Sequence, residues 1–168
     1  GEKGAKKRYV GLIEKNGKEE LVFVGLESKR ADWTDAAKKF QYELLDRVFH
    51  KKEVLSFVKQ FVKDLCNGKM DESLIYKKSL RKPLEHYTKT TPPHVKAAKL
   101  LVTITSQKIE YYMTTAGPEP LEALKHPLDY EHYIKKQIKP LADSVLVFFH
   151  TDFDTLLKNN KQAQLFDF

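Results

Sequence analysis

The chain has 168 residues with 30 Lys and Arg against 23 Asp and Glu, a formal net charge of +7, and 41% hydrophobic residues. That is enough apolar material for one modest packed domain, or a small lobe with an appendage, and too much for a wholly disordered chain. No apolar run reaches the length of a bilayer span, the opening GEKGAKKRYV lacks the apolar stretch of a secretory signal, and the lone cysteine, Cys66, can form neither an internal disulfide nor a cysteine-based zinc site.

A reducing, cytoplasmic setting is therefore expected. Residues 8–13 carry apolar side chains on both faces, the pattern of a mostly buried strand. Asn16-Gly17 is a strong hairpin signal, and residues 21–24 read as the returning strand. Two strands are marginal alone, so a chain opening this way is expected to be a piece of a larger protein. Trp33, Ala37, Phe40, Leu44 and Val48 recur at helical spacing behind Asp32 and Thr34 as candidate caps. Val54, Val58, Phe61, Val62 and Leu65 form a second stripe that Asn67-Gly68 should stop, with Cys66 as a small core residue.

Residues 70–91 show no helical period; Leu74-Ile75-Tyr76 reads as a short extended segment. Pro92-Pro93 should open a helix built on Val95, Ala98 and Leu101. Residues 108–115 read as a strand ending in a turn over Gly117-Pro118-Glu119-Pro120. A long helix with Tyr130, Ile134, Ile138, Leu141 and Val145 on one side should follow, kinked or split by Pro140. The fold class expected is α+β: an N-terminal β-hairpin, then a mostly helical body with one or two short strands.

Charge is distributed unevenly. Residues 67–102 carry eight basic and three acidic side chains, whereas residues 103–168 carry seven and nine. A local excess of this kind suits a surface that follows phosphates. Its members include Lys77, Lys78, Arg81, Lys82, Lys89, Lys96 and Lys99. Lys6-Lys7-Arg8-Tyr9 is a second basic run, read either as a solubilising N-terminus or as phosphate and minor-groove contacts. The six histidines, His50, His86, His94, His126, His132 and His150, form no tight metal-ligand spacing and read as core or surface residues. Asp152 and Asp154 could share a metal, but Asp152 is more simply the start of a short terminal helix. There is no phosphate-binding glycine loop, no GxSxG and no local carboxylate pair, so the chain alone does not read as an enzyme. In the terminal KQAQLFDF, Gln162, Leu165 and Phe166 have the spacing of a peptide that enters a partner's apolar pocket; the same residues could equally pack on their own domain.

Several strings, taken in order, resemble the C-terminal portion of family B DNA polymerases, and within that family its bacterial polymerase II branch. Lys6-Lys7-Arg8-Tyr9 is similar to the family's KKRY motif. Gly25-Leu26-Glu27, Arg30-Ala31-Asp32-Trp33 and Tyr76-Lys77-Lys78 follow, then Pro92-Pro93-His94-Val95 with Ala97-Ala98. The stretches from Thr114 to Pro120 and from Pro127 to Tyr133 complete a set that covers nearly the whole chain.

The resemblance implies the last palm strands over residues 1–33, a thumb over 34–158, and a tail over 159–168. It further implies primer-template duplex DNA as partner, with Lys6, Lys7, Arg8 and Tyr9 near the growing end and Lys77, Lys78, Arg81, Lys82 and His94 on phosphates. The tail is similar to a peptide that binds the β sliding clamp, through Gln162, Leu165, Phe166 and Phe168. A second frame, Gln164 to Phe168, puts Asp167 where an apolar residue is expected. The family's DxxSLYP and DTDS carboxylates are absent, so no cofactor is expected in these residues, while Mg²⁺ would serve the parent DNA-directed DNA polymerase elsewhere in its chain, at the bacterial nucleoid. Residues 101–108 are also shorter than the polar connection of bacterial relatives. The rival expectation is a stand-alone, non-enzymatic nucleic-acid-binding or adaptor protein.

Overall fold

In the computed structural model, residues 9–15, 18–24 and 33–158 are described. The expected N-terminal hairpin is present as β1 (Tyr9–Lys15) and β2 (Lys18–Val24), antiparallel, with Tyr9 opposite Val24 and Lys15 opposite Lys18. Thr34 starts α1 (Asp35–Phe49): its hydroxyl accepts the Ala37 N–H at 3.3 Å. The helix buries Ala37, Phe40, Leu44 and Leu45. Against it packs α2 (Leu55–Cys66), which buries Val58, Phe61, Val62 and Leu65. Each large apolar side chain so buried contributes about 1.5–3 kcal/mol.

The second helix stops where the sequence says it should. Gly68 has a φ of +78°, and the Gly68 and Lys69 N–H groups donate back to the Leu65 and Asp64 carbonyls. This is the reversed-chain cap that glycine alone adopts without strain. Cys66 is half-buried and packs on the same cluster; burial pushes its thiol up to about 11, so it stays protonated at neutral pH.

Beyond Asn67 three expectations need correction. Leu74 belongs to a 3-10 turn (Asp71–Leu74), and the extended segment is β3 (Tyr76–Ser79), fixed by pairing with β4 (Lys108–Thr114) rather than by its own propensity. The helix after the proline pair, α3 (Pro93–Ala98), does open at Pro93 but ends before Leu101, having buried Val95, Ala97 and Ala98 against the sheet within two turns. Gly117 to Pro120 is no turn but β5 (Gly117–Pro120), antiparallel to β4. The chain reverses just ahead of it over Thr115-Ala116, Gly117 taking φ +107° as it enters the strand, and the prolines are tolerated because β5 lies at the sheet edge, in the order β3-β4-β5.

The long helix is split, as Pro140 leads one to expect. It runs as α4 (Tyr130–Tyr133), a π-helical turn (Ile134–Ile138) and α5 (Lys139–Leu146). The break lies upstream of Pro140: the Lys139 N–H reaches back five residues to the Ile134 carbonyl. Widening the helix here accommodates a residue that has no N–H and whose ring crowds the preceding turn. The last element, α6 (Phe153–Lys158), is capped by Asp152, whose carboxylate accepts the Thr155 N–H at 2.7 Å, while Asp154 pairs with Lys139.

Two apolar clusters result. The larger joins α1, α2, the α4–α5 run and α6; the smaller lies between the sheet and α3. Tyr76 packs on both. The motif segments 114–120 and 127–133 turn out to buttress this join. Thr115 donates to the Pro127 carbonyl, Asp129 donates to the Met113 carbonyl, and the Met113 N–H donates to the buried Tyr133 hydroxyl at 2.8 Å.

Glu119 ties the same region from its other end. Its carboxylate accepts the Lys125 and His126 N–H groups at 2.7 and 3.1 Å and pairs with the His126 ring. Burial alone would raise its pKa, but the two N–H donors and the His126 ring together outweigh that and pull it from 4.5 down to about 2. A carboxyl depressed on folding stabilises the protein above its unfolded pKa and loses that contribution as pH falls. The melting temperature should therefore fall between pH 4.5 and about 2. Glu119→Gln should flatten that limb in a pH series of thermal melts; an unchanged limb would show that Glu119 does not carry it.

Candidate nucleic-acid interface

The register of β3 on β4 sets the site. Lys77 lies opposite Glu110, Lys78 opposite Ile109 and Ser79 opposite Lys108, so the basic run is held along one sheet edge with Lys108 beside it. Tyr76 anchors the start of this strand. Its ring stacks between Tyr111, at 5.2 Å, and Tyr133, at 5.4 Å, and its hydroxyl shares a 2.9 Å hydrogen bond with His132.

Facing the strand are the start of α1 and the π-helical turn. A pair of buried hydrogen bonds joins them across 103 positions of sequence: the Thr34 N–H and hydroxyl both donate to Gln137 Oε1 at 2.9 Å. Lys38, one turn beyond Thr34, and Lys136, next to Gln137, come with them.

Together these elements line an open groove of about 960 Å³. Its walls carry Lys38, Lys77, Lys78, Arg81, Lys108 and Lys136 against a single carboxylate, Asp35. All six cations are exposed, and among the described residues none of them forms an ion pair. His94 and His132 also line it. Burial lowers the pKa of both; Lys78 adds to the effect at His94, and at His132 the nearby Asp129 opposes it and Lys136 adds to it, the net direction being down, so both rings are neutral at pH 7. Tyr76 and Tyr111 spend ring faces on each other, and Tyr111 is buried. A groove of cations with its aromatic faces already covered is suited to a polyanionic backbone rather than to stacking bases.

Of the residues singled out from sequence, Lys77, Lys78, Arg81 and His94 meet in this groove. His94 does so as a buried neutral ring, not as a cation; its Nδ1 has no hydrogen-bond partner among the described residues. Lys82 sits outside the lining, its ammonium 4.6 Å over the Tyr87 ring, while Tyr87 accepts the Arg81 N–H at 3.1 Å and so fixes the turn. Tyr9 opens β1; Lys6, Lys7 and Arg8, and the tail residues Gln162, Leu165, Phe166 and Phe168, lie outside the described residues. Sequence reasoning missed Lys38, Lys108 and Lys136. Each is isolated in sequence, and only the sheet register and the Thr34–Gln137 tie bring them to the groove.

Among the described residues no three His, Cys, Asp or Glu side chains converge where one metal ion could sit. The described residues thus offer no cluster that fits the Mg²⁺ of the resemblance. Among the described residues no helix is long and apolar enough to cross a membrane.

With fold and groove in place, the comparisons with known proteins give the class. Residues 4–147 match the sequence profile of DNA polymerase family B, and the chain belongs to that family. It is 41% identical over 165 residues to DNA polymerase II of Escherichia coli K12, the match covering 92% of this chain and 21% of that protein. To DNA polymerase 2 of Aeropyrum pernix it is 33% identical over 181 aligned residues, covering 98% of this chain and 22% of the relative. The chain spans about a fifth of the length of these two relatives.

Proposed function

We propose that these residues grip primer-template duplex DNA through its backbone, as the thumb and last palm strands of a DNA-directed DNA polymerase. The observation that carries the proposal is the groove itself: six exposed cations and one carboxylate around a concave surface. Cations on phosphates release condensed counterions and bind every sequence alike, which suits an enzyme that must hold DNA without choosing its sequence. Family membership supports the same reading, since polymerases act on nucleic acid. In it Lys77, Lys78 and Arg81 meet phosphates from β3 and its following turn, Lys38, Lys108 and Lys136 from the facing walls, and His94 contributes a neutral hydrogen-bonding ring. Lys6, Lys7, Arg8 and Tyr9 would meet the minor groove near the primer end. The Mg²⁺ of nucleotide addition and the carboxylates that hold it would belong to the remainder of the polymerase chain. The test is fluorescence anisotropy on a labelled duplex across a salt series. Binding should weaken steeply as salt rises, and affinity insensitive to salt would overturn the proposal.

The tail over 159–168 would tether the enzyme to the β sliding clamp. Replacing Leu165 and Phe166 together by alanine should abolish clamp capture in a pull-down and leave duplex binding intact. Unchanged capture would remove the tail from this role.

A further inference from the structure

The chain enters the groove at Lys108 from an apolar loop that the electrostatics do not use. Between α3 and β4 the chain crosses residues 99–107, where Leu100 is 53% exposed, Val102 wholly exposed and Ile104 38% exposed. From Leu101 to Gln107 the sequence is LVTITSQ, without a charge. A single exposed aliphatic residue is ordinary on a protein surface; three within five residues of one uncharged loop concentrate apolar surface in one place, which suits a contact.

Its surroundings say what kind. Lys96 and Lys99 precede the run, both exposed, and Lys108 follows it. Lys108, at the exit of this segment, lines the groove, and the helix that leads into the segment begins there with Pro93 and His94. The Leu80 N–H donates to the Gln107 carbonyl at 2.7 Å, fixing the exit of the loop to the strand that carries Lys77 and Lys78. A surface flanked by cations on both sides, with one acid, Glu85, between residues 77 and 108 up to the start of β4, repels a basic partner and attracts an anionic one.

We infer that Leu100, Val102 and Ile104 enter the minor groove of the duplex whose phosphates the basic groove holds. The inference rests on the backbone-grip reading above and adds to it a contact independent of salt. Lys99 and Lys108 meet phosphates on either side while the aliphatic side chains pack on the sugars between them. The minor groove is about 6 Å wide, which admits aliphatic side chains but not a helix. Its sugar walls are the same for every base pair, so the contact adds affinity without adding sequence preference. Thr103 and Thr105, which alternate with the aliphatic residues, are exposed as well.

The experiment compares the 168-residue chain with Val102→Ser, Ile104→Ser on one labelled duplex over a salt series. The double variant should bind about tenfold more weakly at every salt concentration, with the slope of log affinity against log salt unchanged. A Val102→Leu variant should bind as the parent does, because it keeps the apolar surface. Both substitutions lie on an exposed loop, and matching thermal melts confirm that the fold is retained. Equal affinity for the double variant and parent overturns the loop contact and leaves the groove standing. A parent chain that shows no salt-dependent binding overturns the groove and the loop contact together.

Discussion

Replacing Lys77, Lys78 and Arg81 together by alanine should weaken duplex binding by two to three orders of magnitude at about 0.1 M salt. The arithmetic follows from counterion release. Each phosphate contact contributes about 0.9 to the slope of log affinity against log salt, so three lost contacts flatten it by about 2.7. The parent and variant titrations should then converge as salt approaches about 1 M, where counterion release no longer favours binding. The triple variant of Lys38, Lys108 and Lys136, which line the facing walls, should behave the same way. Lys59 and Lys63 on α2 do not line the groove, and replacing them should change neither affinity nor slope appreciably. If the first two triple variants kept the parent slope, the groove would not be where phosphates bind, whatever its charge.

The contrast between those two triplets also shows what was legible in the sequence. Lys77, Lys78 and Arg81 stand together in a charge run and could be picked out by composition. Lys38, Lys108 and Lys136 could not, because their common feature is a place in space. The same division runs through the fold. The stripes on α1 and α2 are long, strongly periodic and capped by Thr34 and by Asn67-Gly68, so local rules and tertiary packing agree. β5 and α3 are four and six residues long, too short for periodicity to speak, and their bounds are set by what they pair with or pack on. Pro118 and Pro120 argue for a turn on local grounds; an edge position in a sheet, invisible from sequence, removes the objection. The π-helical turn is a further case: Pro140 announces a break, but the accommodation occurs among Ile134–Ile138, before the proline, where Gln137 also meets Thr34.

The largest effect on stability is expected at Tyr133. Its side chain is fully buried, stacked on Tyr76 at 5.4 Å with the His132 ring edge-on at 5.2 Å, and its hydroxyl accepts the Met113 N–H at 2.8 Å. Burial raises the phenol pKa well above its ordinary value, so the group stays protonated and neutral across the working range. Tyr133→Ala removes the ring from a closed site and strands a backbone donor. Cavity formation at a buried aromatic costs about 3–5 kcal/mol, and an unsatisfied N–H adds about 1–3 kcal/mol. Tyr133→Phe keeps the ring and strands only the donor, so it should cost about 1–3 kcal/mol. Urea denaturation of the two variants separates the contributions. A large gap between them means that the aromatic stack through Tyr76 holds the sheet to the helices; near-equal losses would mean that the single hydrogen bond to Met113 does. The distinction bears on the groove, because Tyr76 is the residue before Lys77 and packs on both apolar clusters. If the stack is the joint, loosening it at Tyr133 lets the strand bearing Lys77 and Lys78 move relative to α1. Lys38 and Lys136 then no longer face those cations at a fixed spacing. Duplex affinity of the folded Tyr133→Ala protein should therefore fall with little change in the fold of either cluster. Tyr133→Phe should bind DNA as the parent does, and an alanine variant that also binds as the parent would separate the stack from the groove.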